Sequence, residues 1–185
     1  MQHAAFPPRC HAGAGGWTLI ELLVVMTVSS LLLAVSLPSF ENFLQRRRLD
    51  GLSAQLISDL QFLRSSAVAQ HTGLRLRLQD NAGGSCYLIH TGSADACSCA
   101  ADGQAQCQTG AELLRLVFVP ASSRLAVQGN VGSMRVDPRL GTFSPAGSIE
   151  LRSANGGIGL RHVVNILGRV RLCASAGDWA GVPAC

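Results

Sequence analysis

The chain has 185 residues, 48% of them hydrophobic, and a formal net charge of +4. That length holds one domain and an anchor segment rather than a string of domains. The small positive balance, carried entirely by arginine, is compatible with an anionic partner but does not demand one.

Residues 17–37 form an apolar run whose one charge is Glu21. At about 1.5 Å per residue the run spans about 30 Å, the thickness of a bilayer's hydrocarbon core. A carboxylate inside it costs on the order of 3 kcal/mol on insertion scales, so its presence calls for a partner. A secretory signal places a small-residue cleavage site after a shorter apolar core. Here the glycine pair Gly15-Gly16 precedes the run. Cleavage after Gly16 would keep the hydrophobic helix and make Trp17 the first residue.

The stretch Gly16-Trp17-Thr18-Leu19-Ile20-Glu21-Leu22-Leu23-Val24-Val25 resembles the type III signal of type IV pilins and type II secretion pseudopilins, with Trp17 where Phe is usual. Pro38 matches a kink-forming proline common in those helices. The resemblance implies a leader over 1–16, cut after Gly16 by a prepilin peptidase that methylates the new amine of Trp17. It implies a transmembrane and assembly helix over 17–37. Glu21 then acquires its partner: the amine of Trp17 on a neighbouring subunit, which fixes axial register as helices pack into a filament.

Beyond Pro38 the helix is expected to resume and run to about residue 71. Leu52, Leu56, Leu60, Leu63 and Ala67 form an amphipathic stripe, opposite a polar face with Arg48, Ser58 and Arg64. Gly51 weakens this stretch locally by about 1 kcal/mol. The run Arg46-Arg47-Arg48 is either a solvated face or a contact for phospholipid headgroups. Residues 38–72 are thus the amphipathic second half of the helix, and 73–185 the globular region.

That region reads as strands. Segment 74–79 alternates leucine inward and arginine outward. Segments 86–91, 112–119, 124–128, 133–137 and 148–153 follow, and two more, before and after Gly168, close the sheet. One long helix followed by an antiparallel sheet is an α+β fold. Segment 92–110, rich in Gly, Ala, Ser and Cys, reads as a loop stapled by disulfides.

Of seven cysteines, only Cys10 precedes the apolar run. The other six, behind a membrane-targeting segment, point to an oxidising compartment and a disulfide framework. Cys173 and Cys185 can close one loop. Cys86, Cys97, Cys99 and Cys107 can form two more bridges, their pairing open. A zinc site from these four with His90 fits poorly, because Cys97-Ser98-Cys99 offers no C-x-x-C spacing. No metal and no cofactor is expected.

Segments 140–151 and 159–173 resemble the C-terminal half of the GspH/FimT-type minor pilin domain, a likeness extending over about residues 50–175. Gly168-Arg169-Val170-Arg171 matches a Gly-Arg-x-Arg motif that in some FimT-like minor pilins is associated with DNA binding. On a strand the two arginines face one side about 6.6 Å apart. A three-residue loop 166–168 with Gly168 left-handed would pair Arg169 with Asn165 and Arg171 with Val163, placing Arg161 on the same face. Guanidiniums so spaced can each engage a phosphate. With no aromatic platform alongside, binding would be sequence-independent. The alternative is two solvated strand arginines after a turn glycine.

No G-x-S-x-G, H-E-x-x-H, P-loop or Rossmann fingerprint occurs, and spacing identifies no partners for His71, His90 or His162, so no enzyme is expected. The reading is a minor type IV pilin anchored in the bacterial inner membrane, its C-terminal domain periplasmic, that joins a pilus. Its partners would be other pilins, the prepilin peptidase, the inner-membrane assembly platform and DNA. The alternatives are a GspH-type minor pseudopilin of type II secretion and a DNA-binding module with incidental filament incorporation.

Overall fold

A computed structural model describes residues 16–185, apart from the side chains of residues 35–39. Cys10, the rest of the expected leader before Gly16 and the side chain of Pro38 therefore lie outside the described residues. A single helix, α1, spans Leu19–Ala69. The chain divides into two compact units, Met1–Asn42 and Phe43–Cys185.

In the first unit, α1 begins at a cap that the sequence spells out. The Glu21 amide donates to the Thr18 hydroxyl at 3.3 Å, so Thr18-Leu19-Ile20-Glu21 has the T-x-x-E spacing of a capping box. An acidic residue in the first turn also complements the helix dipole. Within the apolar run, the Thr27 hydroxyl donates to the Val24 carbonyl and Ser30 to that of Thr27, each at 2.9 Å. These bonds satisfy two of the run's hydroxyls within the helix itself. Among the described residues no helix is long and apolar enough to cross a membrane; the expected span includes residues 35–37, whose side chains are outside that set.

In the second unit Leu56, Leu60, Leu63 and Ala67 of the stripe are buried as their spacing predicts, Leu52 is only partly buried against them, and Leu49, outside the stripe, joins them in one core with residues of two sheets. The first sheet contains β1 (Leu74–Asn81), β2 (Gly84–Thr91), β5 (Leu113–Pro120), β7 (Ser133–Val136) and β8 (Phe143–Ser144), in the order β5-β2-β1-β7-β8. The second contains β6 (Leu125–Gly129), β9 (Gly147–Ser153), β10 (Gly159–Val164) and β11 (Val170–Ala176), in the order β11-β10-β9-β6. All their pairings are antiparallel. The expected single sheet is therefore two. Alternation places the core side of each strand, but nothing local decides which strands share hydrogen bonds.

Segment 92–110 is more than a loop. It contains a hairpin of β3 (Cys97–Cys99) and β4 (Ala105–Cys107), with Cys97 directly opposite Cys107 and bonded to it. Cys86–Cys99 fastens this hairpin to β2, and Cys173–Cys185 closes the C-terminal loop. Low β-propensity hid these strands; pairing is imposed by the covalent bonds and by a second apolar cluster of Cys86, Leu88, Cys97 and Cys99 beneath them. Arg75 and Arg77 consequently do not face open solvent, since Arg77 donates to the Ala94 carbonyl at 2.9 Å and pairs with Asp95 at 2.7 Å.

One buried polar network ties α1 to the first sheet. Asp59, fully buried, accepts hydrogen bonds from the Tyr87 hydroxyl and the Arg115 guanidinium, and that guanidinium stacks over Phe62 at 4.1 Å. Burial, with the neighbouring Asp59, pushes the Tyr87 hydroxyl's pKa well above its ordinary value.

Candidate functional site: an arginine-lined groove

The turn joining β10 to β11 is built by one asparagine and one glycine. The Asn165 amide donates to the Arg169 carbonyl at 3.1 Å, and the Gly168 amide to the Asn165 carbonyl at 2.9 Å. The Asn165 side-chain oxygen accepts from the Arg169 amide at 2.8 Å. Gly168 is left-handed, with φ of 76°. Val163 therefore lies opposite Arg171 and Val164 opposite Val170, the register expected from a three-residue loop. The Ile166 carbonyl accepts from the Phe143 amide at 2.8 Å, fastening the turn to β8.

Between α1 and the edge strand β11 runs a groove of about 1020 Å³. Leu60, Val170 and Leu172 contribute apolar wall. Arg169 and Arg171 line it from the strand, Arg64 from the helix and Arg139 from the turn after β7. That turn is held by Asp137, whose carboxylate accepts from the amides of Arg139 and Leu140 at 2.8 and 2.9 Å. The Leu140 amide first, then that of Arg139, draws the Asp137 pKa below its ordinary value. Arg64 passes between two left-handed glycines: a Cβ on Gly141 would stand 3.1 Å from its Nε, and one on Gly168 3.3 Å from its Cδ. No aspartate or glutamate lines the groove, and none of its four arginines forms an ion pair among the described residues.

Arg161, expected beside Arg169 and Arg171, is engaged elsewhere. It shares their face by register, yet it pairs with Glu150 at 3.1 Å and lines a separate depression with Gln128 and Ser148. The sequence pattern could not show this, because Glu150 reaches it across a strand pairing. Conversely Arg64, placed only on a polar helix face, and Arg139, unassigned, join the groove. Neither carried a local signal. The basic run also has partners: Arg46 donates to the Asp178 carbonyl at 3.0 Å and lies over Trp179, and Arg47 lies over Phe43. Glu21 and Trp17 belong to the other unit. Among the described residues, no group of three or more His, Cys, Asp or Glu is placed to hold a metal ion.

A sequence model for the family described as type II transport protein GspH matches residues 52–168, from the amphipathic helix to the glycine of the β10–β11 turn. The chain belongs to the GspH family. It is a type IV pilin-like protein of the minor pilin and pseudopilin group, and the resemblance read over about residues 50–175 agrees with the matched segment. In fold, this GspH-family chain is similar to the crystal structure of the type IV minor pilin FimU of Pseudomonas aeruginosa PAO1. The TM-score is 0.53 at 18% identity, over 74% of this chain and 99% of that one. The minor pseudopilin EpsH of the Vibrio cholerae type 2 secretion system also matches, with TM-score 0.46 at 14% identity over 67% of this chain and 95% of that one. No curated protein matches the chain. Arg169 and Arg171 fall just past the end of the family match, so they are features of this GspH-family chain rather than of the matched segment.

Proposed function

We propose that the chain is a minor subunit of a type IV pilus and that its arginine groove contacts DNA. The N-terminal segment supplies assembly. Cleavage after Gly16 frees the Trp17 amine for methylation, residues 17–37 cross the inner membrane, and Glu21 pairs with the Trp17 amine of a neighbouring subunit. The helix near Pro38 completes that surface. The partners are other pilins, the prepilin peptidase and the assembly platform; the C-terminal domain lies in the periplasm, then on the filament.

The observation that carries the DNA reading is the groove's charge. Four arginines, Arg64, Arg139, Arg169 and Arg171, border one channel that holds no carboxylate. Guanidiniums on both walls can grip successive phosphates of one strand, and apolar walls without aromatic rings leave bases unread. Binding is therefore independent of sequence and weakened by salt. A mobility shift with the full chain in maltoside micelles tests it. The Arg169→Ala/Arg171→Ala variant should lose retardation of DNA at concentrations where the wild type binds; equal affinity rejects the reading.

The family description, type II transport, favours one second reading: a GspH-type minor pseudopilin of a secretion system. Deletion separates the two. Loss of transformation and twitching with intact secretion supports the pilus, and loss of secretion alone supports the pseudopilus.

A further inference from the structure

We infer that the outer face of the first sheet carries a second, separate anion site: a seat for one oxyanion group built by Arg75 and Arg135 beside His90. These three residues form one row across three strands, with His90 opposite Arg75 and Arg75 opposite Arg135. Like charges directly opposite one another destabilise a sheet, and the Arg75–Arg135 pair sits in that relation. Burial and the Arg135 charge both lower the pKa of Arg75.

Independent observations point to a ligand. Arg75 Nε and His90 Nε2 are buried and make no hydrogen bond within the chain, a state that costs about 1–3 kcal/mol per group unless something binds. Two other polar atoms of the row are engaged: Arg75 Nη1 donates to the Ser133 hydroxyl at 3.0 Å, and His90 Nδ1 faces the Thr91 carbonyl at 2.8 Å. Space is kept for the second guanidinium, since a Cβ on Gly73 would stand 2.8 Å from Arg135 Nη2. Two carboxylates act on the row from a distance, Asp95 on Arg75 and Asp137 on Arg135, but each has a nearer partner. Asp95 is bonded to Arg77, and Asp137 accepts from the backbone of its own turn.

The ligand chemistry follows from the donors. Two guanidiniums require acceptor oxygens on a negative group, a carboxylate or a phosphate. Because a carbonyl only accepts, His90 Nδ1 carries the ring's hydrogen, and Nε2 of the neutral ring is an acceptor. A hydrogen phosphate offers oxygens to the arginines and an O–H to Nε2; a carboxylate offers only the oxygens. Phosphate is therefore the stronger ligand.

The test follows the Arg75 Nε–H resonance in the full chain, labelled with 15N-arginine in maltoside micelles and assigned by its absence from Arg75→Lys. Sodium phosphate and sodium acetate are titrated separately against sodium chloride at constant ionic strength. A saturable shift is expected, tighter for phosphate, weakened roughly tenfold in Arg135→Gln, equivalent to about 1.4 kcal/mol. Gly73→Ala, which displaces the Arg135 guanidinium, should weaken it likewise. Arg169→Ala/Arg171→Ala should keep the shift, which separates this seat from the groove whatever becomes of the DNA reading. Acetate binding as tightly as phosphate would retain the seat and assign it to carboxylates. A resonance unmoved by either anion, or moved equally in Arg135→Gln, overturns the inference.

Discussion

Tyr87 on β2 donates its hydroxyl hydrogen to Asp59 on α1 across 2.7 Å, and this bond joins two elements 28 residues apart in sequence. Asp59 also receives the Arg115 guanidinium, so one buried carboxylate answers two donors. Asp59→Ala removes the acceptor of both. It should cost about 2–4 kcal/mol of unfolding free energy, because the buried Tyr87 hydroxyl loses its acceptor while Arg115, 42% exposed, can turn to water. Tyr87→Phe removes one donor and leaves the ion pair, so it should cost only about 1–2 kcal/mol. Urea unfolding of the two variants beside the wild type measures both, and equal losses would show that the carboxylate does not organise the network.

Gly168 is constrained twice. Its φ of 76° disfavours any side chain, and a Cβ there would stand 2.9 Å from the Phe143 ring. Gly168→Ala should therefore destabilise by about 1–2 kcal/mol through backbone strain, with more from the steric clash. Because the same turn sets the positions of Arg169 and Arg171, DNA retardation should weaken although no charge is removed. Thermal unfolding and mobility shift on one sample check both effects.

The groove arginines make a prediction about salt. Removing one guanidinium that neutralises a phosphate should reduce the slope of log affinity against log salt by about 0.9 for duplex DNA. Arg64→Gln and Arg139→Gln should each flatten the slope as Arg169→Gln does. Arg161→Gln should leave it unchanged, since Arg161 is paired with Glu150. Fluorescence anisotropy across a salt series gives the slopes.

His162 predicts a pH dependence. Its ring is buried against the Ser53 hydroxyl, 2.8 Å from Nε2, and burial lowers its pKa to about 4, partly opposed by the backbone of Ile149. The unfolded ring takes its proton near pH 6.5, so between these values the unfolded chain binds more protons than the folded one. The contribution is full above pH 6.5 and is lost as pH falls toward 4, by about 3 kcal/mol in all. His162→Gln should flatten the stability profile over that window in denaturant melts at graded pH.

Legibility tracked the range of the interaction. The leucine stripe of α1, the strands of four or more residues and the Arg171–Val163 register were readable because helix period, alternation and a turn glycine act within a few residues. The split into two sheets was not, because strand partners are chosen across the whole chain. The groove was half readable. Arg169 and Arg171 announce themselves beside Gly168, whereas Arg64 arrives from more than a hundred residues away and Arg161 is withdrawn by a carboxylate on the neighbouring strand. The T-x-x-E spacing of Thr18 and Glu21 was also in plain view, inside the apolar run that pointed to the membrane.

The C-terminal tail turns back onto β11, the outermost strand of its sheet. The Ala174 amide donates to the Pro183 carbonyl, its own carbonyl accepts from the Cys185 amide, and Cys173–Cys185 locks the fold-back. An unpaired strand edge is a template for adding another chain. Here a covalent clip occupies part of that edge with Pro183 and Cys185 of the same chain. That stretch of the edge is thereby closed to a strand from another chain.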